Sequence, residues 1–147
     1  MSMAQMRRRL GADGARDTPL HPNAFLAYYV DNLAVRSADA GDDALAEGLF
    51  EQAIDAGPRI ARIRFNYGTF LLGTQRLELA KIQLRRAVRL DSRNAPAWAN
   101  LGVALARLGK RAEAKDCFDR ALRVDPNNRV AAENLKALGS NGPANRH

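Results

Sequence analysis

Four asparagines, Asn32, Asn66, Asn100 and Asn134, each follow the previous one by 34 residues. An asparagine side chain carries one acceptor and two donors, matching the C=O and N–H of a peptide unit. A row of them at constant spacing therefore suits recognition of another chain's backbone, provided the fold brings the row onto one face. The groups that would support bond-making chemistry are placed differently. His21 and His147 fall in segments without periodicity, so neither is expected to be held against a core. The sequence has no Ser-His-Asp or Cys-His arrangement, no metal-spaced Cys/His cluster and no glycine-rich phosphate loop after a strand. Cys117 is the only cysteine, so no internal disulfide can form. It precedes apolar Phe118 with no base near it in sequence, and is expected to be a half-buried structural thiol. Neither catalysis nor a cofactor is expected.

What must position the asparagines is a repeat, because other columns recur in the same step of 34. Leu33, Tyr67, Leu101 and Leu135 form one column; Ala34, Gly68 and Gly102 form the next. Ala46, Ala80 and Ala114 follow, then Phe50, Leu84 and Phe118, then Ala53, Ala87 and Ala121, then Ile54, Val88 and Leu122. The best-formed unit is Ala95–Asn128. Trp98, Leu101, Gly102 and Leu105 recur at helical spacing, a turn follows at Leu108-Gly109-Lys110, and Ala114, Phe118, Ala121 and Leu122 lead to a breaker at Asp125-Pro126. This is two amphipathic helices and a stop. It resembles the Trp-x2-Leu-Gly-x2-Tyr, Ala-x3-Phe, Pro pattern of the tetratricopeptide repeat family, with Leu105 in the aromatic slot.

The resemblance implies an all-α fold, a right-handed α-α superhelix (solenoid) of three helix pairs plus a C-terminal capping helix. The repeats are 27–60, 61–94 and 95–128 and the capping helix is 129–138, within a repeat domain 21–138. Residues 1–20 are expected to be a flexible basic arm and 139–147 a disordered tail. Small residues at 34, 68 and 102 would let the first helix of a unit approach the second, and large ones at 50, 84 and 118 would fill the space between units. No unit can bury its apolar face alone, so the stack must be continuous. Several positions depart from the pattern. Val30 and Ser37 stand where larger residues are usual, and Ser92 replaces the closing proline of Pro58 and Pro126. Gln75 stands where Gly41 and Gly109 offer a left-handed turn, with Gly73 as the alternative place for that helix to end.

In this family the first helices line a concave groove. The resemblance therefore implies that Tyr28, Asn32, Arg62, Phe65, Asn66, Thr69, Asn100, Val103, Arg107 and Asn134 face a peptide segment of a partner protein. Such a groove is apolar at Tyr28, Phe65 and Val103, polar at its asparagines and close to neutral, with Asp31 beside Asn32. The series is similar to the asparagine ladder of O-linked N-acetylglucosamine transferases. Asparagine before Leu-Gly also serves solubility and local hydrogen bonding, and both roles stay open. The two-carboxylate clamp of chaperone-binding repeats is resembled only at Asn66. Its basic and asparagine positions in repeat one hold Asp31 and Val35, and its basic positions in repeat three hold Pro96 and Asn100, so an Hsp70 or Hsp90 C-terminal peptide is disfavoured.

A chain of 147 residues with 46% apolar and 27% charged residues has the size and composition of one soluble globular domain. Its net charge of +7 comes mostly from arginine and admits attraction to acidic partners. Glu47, Glu51 and Asp55 correspond, 34 residues on, to Lys81, Arg85 and Arg89, and Arg85 to Asp119, so stacked second helices are expected to set acid against base. The alternative function is an anion- or nucleic-acid-binding module using Arg7–Arg9 and a convex patch of Arg85, Arg86, Arg89, Arg120 and Arg123. Interleaved Asp91, Asp116 and Asp119 disfavour nucleic acid. Homo-oligomerisation through the first repeat or the cap is a third reading. No stretch approaches the roughly 20 apolar residues of a membrane span, and no signal-peptide apolar region follows Arg7–Arg9, so a cytoplasmic location is expected.

Overall fold

The computed structural model describes residues 23–140. The expected arm 1–20, His21 and the segment from 141 to His147 lie outside them. Every regular element among the described residues is a helix. In order these are α1 (Ala24–Asp39), α2 (Asp43–Ala56), α3 (Ala61–Gly73), α4 (Leu77–Leu90), α5 (Ala95–Arg107), α6 (Arg111–Val124) and α7 (Arg129–Ser140). Pairs α1/α2, α3/α4 and α5/α6 each form an antiparallel hairpin. Each later first helix, α7 included, packs on both helices of the pair before it, which makes a solenoid.

Local chemistry sets the boundaries. The Asp42 and Asn94 side chains accept the backbone N–H of Leu45 (3.1 Å) and Ala97 (3.0 Å), capping α2 and α5. Asn128 Oδ1 accepts Ala131 N–H at 2.9 Å at the start of α7. Each first helix ends in the same two-bond motif. In repeat one Asp42 N–H donates to Ser37 O and Gly41 N–H to Ala38 O; Arg76/Leu71 with Gln75/Leu72, and Lys110/Leu105 with Gly109/Ala106, repeat it. The motif needs a left-handed residue, and Gly41 (φ 83°) and Gly109 (φ 80°) supply it. Gln75 takes the same conformation, with φ 62°, so α3 ends at Gly73 in step with the other two helices rather than early. The tertiary stack holds the turn against the side chain's local preference. The capping helix also runs past the expected 138, with Gly139 and Ser140 in its last turn.

The small-residue columns set the helix separation. Ala46, Ala80 and Ala114 are fully buried, as are Leu84 and Phe118, with Phe50 nearly so. A Cβ added to Gly102 would stand 2.5 Å from the Phe118 ring, and one at Gly68 would stand 2.6 Å from Leu84 Cγ, so both glycines are required by close approach of the paired helices. Phe50 stacks on Tyr67 and tilts against Phe70, with centroids 5.3 and 5.4 Å away, joining repeats one and two. Buried Arg64 donates to Pro58 O and Gln83 Oε1, tying the first breaker to α4. The expected acid–base pairs between second helices form with different partners. Glu47 pairs with Arg76, Arg85 with Glu113, Lys81 with Glu78 and Asp119 with Lys115. Across the pair boundary the partner lies 28 or 29 residues on rather than 34, because neighbouring units are staggered along their axes.

Candidate functional site

Stagger also governs the first helices, and it decides what the asparagines do. Lateral partners there lie 30 to 35 residues apart: Asn32 with Arg62, Asp31 with Arg62 and Asn66, Thr69 with Asn100, Gln75 with Arg107. Asp31 is thereby bracketed by Arg62 and Asn66, one turn apart on α3. Each of the four repeat-spaced asparagines is bonded to a group other than another asparagine.

The network starts at Asp31, a fully buried carboxylate on α1. Arg62 on α3 lies 3.1 Å from its Oδ2, and Asn66 Nδ2 donates to both of its oxygens at 3.2 and 3.0 Å. Burial pushes the Asp31 carboxyl above its ordinary range, and the hydrogen bonds from Asn66 and Arg62 pull it part of the way back. Arg62 Nη2 also donates to Asn32 Oδ1 at 2.6 Å, and its guanidinium lies 5.0 Å from the Tyr28 ring centroid. Arg62 is thus held on three sides while about half of its side chain (49%) stays exposed. Further along, Asn100 Nδ2 donates to Thr69 Oγ1 at 3.1 Å and Arg107 reaches Gln75 Oε1 at 3.5 Å. Asn134 Nδ2 donates to Val130 O at 2.7 Å within its own helix.

These bonds leave a definite polarity. Asn32 keeps its Nδ2 donors, Asn66 keeps its Oδ1 acceptor, and Asn100 keeps its Oδ1 acceptor and one N–H, with no further partner for these groups among the described residues. Asn32, Val35, Arg36, Arg62, Phe65, Asn66 and Asn94 line one open groove of about 750 Å³. Of the sequence-derived residues, the structure gathers Asn32, Arg62, Phe65 and Asn66 there, with Tyr28 stacked on Arg62. Thr69 and Asn100 form the next rung, and half-buried Val103 packs against the core. Arg107 bonds at the turn and Asn134 stays on the cap. Sequence reasoning missed Arg36 and Asn94, and set Asp31 aside as a neighbour. The signal for Asp31 lay in its own column, since a carboxylate in step with Phe65 and Ala99 needs a buried partner.

The convex candidates are more scattered. Arg120 covers the Trp98 ring at 4.9 Å and Arg85 is engaged by Glu113. A second depression of about 310 Å³ has Arg85 and Arg89 on its lining together with Glu113 and Asp116, so its charges offset. Cys117 is buried, and burial pushes its thiol up to about 11, as suits a structural residue. Among the described residues no group of three or more His, Cys, Asp or Glu is placed to hold a metal ion. No described helix is long and apolar enough to cross a membrane.

Two tetratricopeptide-repeat family models match the chain, over residues 32–96 and 95–128. The chain belongs to the tetratricopeptide repeat family. It is 32% identical over 123 residues to human protein O-mannosyl-transferase TMTC3, a match covering 82% of this chain and 13% of that protein. It is 32% identical over 97 residues to the type IV pilus assembly protein PilF of Pseudomonas aeruginosa, covering 65% of this chain and 38% of that one. The chain thus spans well under half the length of these two relatives. Among solved structures it is similar to the second repeat domain of human RPAP3 in complex with the HSP70 peptide SGPTIEEVD. The TM-score is 0.75 and the identity 26%, over 80% of this chain and 98% of that one.

Proposed function

We propose that this chain is a non-catalytic interaction scaffold that takes a peptide segment of another protein along the groove of its first helices. The observation that carries the reading is the groove's unspent hydrogen-bonding capacity. Asn32 and Asn66 line it beside half-buried Phe65 and Val35, with Asn100 on the next rung beside Thr69, in a wall whose geometry is already held by Asp31. A peptide laid there finds donors at Asn32, an acceptor at Asn66, and both a donor and an acceptor at Asn100. The peptide held by the similar RPAP3 domain supports a peptide as ligand. A chaperone C-terminus is not favoured, because Asp31 occupies a clamp position and is consumed internally.

The test is selection of peptides from a random dodecapeptide phage library on the full chain. Binding of the selected peptides is then measured on Phe65→Ala, Asn100→Ala and, on the convex side, Arg86→Glu. Groove recognition predicts losses of about tenfold or more for the first two, near 1.4 kcal/mol, and little change for the third. Selected peptides that bind Phe65→Ala and Asn100→Ala as well as wild type would overturn it.

A further inference from the structure

The groove wall has an electrostatic character that its sequence does not show. Asp31, the carboxylate that makes the stretch read as neutral, has no exposed surface, and both its oxygens accept hydrogen bonds from Arg62 and Asn66. What a ligand meets is cationic. Arg36 is exposed and makes no hydrogen bond or ion pair with any described residue, and Arg62 Nη1 is likewise without a partner. Asn32 adds a free Nδ2 donor, and no carboxylate is on the groove's lining. Val35 and Phe65 give the same groove apolar surface.

We infer that the groove selects peptide segments carrying one carboxylate side chain next to a large apolar one, the carboxylate seated between Arg36 and Arg62 and the apolar side chain on Val35 and Phe65. This rests on the groove reading above and names its ligand class. Arg62 is the anchor: Asp31, Asn32 and Tyr28 hold its guanidinium before any ligand arrives, so little side-chain entropy is lost on binding. Its remaining N–H groups and those of Arg36 are charge-assisted donors, which carboxylates accept strongly. The carboxylate cannot take Arg62 away altogether, because Asp31 would be left buried and unpaired. Arg62 shares the column of Pro96, one repeat before the basic clamp position, and Arg36 is at no clamp position, so the full two-carboxylate set is not present and the recognised unit is a single acidic residue that can lie inside a chain, with no chain terminus needed. A phosphate-rich ligand fits poorly against the apolar half of the groove.

The experiment uses the phage-selected dodecapeptides whose binding falls on Phe65→Ala, which defines them as groove ligands. They should be enriched for Asp or Glu within two residues of Leu, Ile, Phe or Met. Replacing that acid by Gln in a synthetic peptide should weaken binding at least tenfold on wild type. On Arg36→Gln, whose side chain is exposed and supports nothing, the same replacement should cost clearly less, so the two changes couple in a double-mutant cycle. Arg62→Lys should keep part of the acid preference and lose its geometric selectivity. Groove ligands without acidic enrichment, or an unchanged Glu-to-Gln penalty on Arg36→Gln, would overturn the inference and leave the groove reading standing. Failure to obtain any Phe65-sensitive peptide would remove both.

Discussion

Substituting alanine for glycine at two helical positions should move stability in opposite directions. Gly48 lies within α2 and a Cβ there meets nothing within 4 Å; Gly102 lies within α5 and a Cβ there meets three Phe118 ring atoms at 2.5, 2.7 and 2.9 Å. Helix propensity favours alanine by about 0.8–1 kcal/mol at both sites. At Gly102 the gain is opposed by overpacking, which costs about 1–3 kcal/mol when a rigid, fully buried group must shift. Repeat one shows how the shift can be absorbed: Ala34 stands in the same column there, and Phe50 leans onto Tyr67 and Phe70. Phe118 has only Leu135 and Leu138 of the short cap in the corresponding places, so the same relief is not available. The net expectation is stabilisation of about 1 kcal/mol for Gly48→Ala and a loss of up to about 2 kcal/mol for Gly102→Ala. At roughly 4 °C per kcal/mol the two melting temperatures should separate by about 4–12 °C. Thermal unfolding followed by circular dichroism, with urea titration as a second measure, tests this. A Gly102→Ala protein that melts at or above Gly48→Ala would refute the argument that helix approach, rather than propensity, places glycine in this column.

Three further expectations follow from single residues. Gln75→Gly should stabilise by up to about 1 kcal/mol, since the left-handed cost falls away and is only partly offset by added freedom in the unfolded chain; a lower urea midpoint would contradict it. Asp31 has a raised pKa, so its contribution favours folding in full below the unfolded carboxylate value of about 3.9 and is lost as pH rises through the folded value. Asp31→Asn, which does not titrate, should therefore gain on wild type between about pH 4 and pH 7 in paired melts, and a gap that is flat or reversed would refute the sign. Cys117, with its thiol near 11, should be alkylated by iodoacetamide at pH 7.5 roughly 100-fold more slowly than a free cysteine, from thiolate fraction alone; labelling as fast as a free cysteine would show that the helix opens readily.

The sequence by itself determined the architecture. A step of 34 with small, large and breaker residues in register leaves no way to bury the apolar faces except a continuous stack of helix pairs, and positions such as Ala46, Leu84 and Phe118 went where their columns required. Periodicity also exposed which side of each first helix stays away from the core. It did not reveal lateral neighbours, because these depend on the stagger between units, a property of packing that no single period encodes. That stagger moved the acid–base pairs from an offset of 34 to 28 or 29. Packing of α3 on α1 also brought Arg62 and Asn66 to Asp31, turning a groove that reads as neutral into one whose accessible charge is positive. Gln75 makes the same point for the backbone: local preference argued against a left-handed turn, and the requirement that α4 return onto α3 imposed it. Which groups a ligand meets was decided only in three dimensions, by which polar atoms the fold had already consumed.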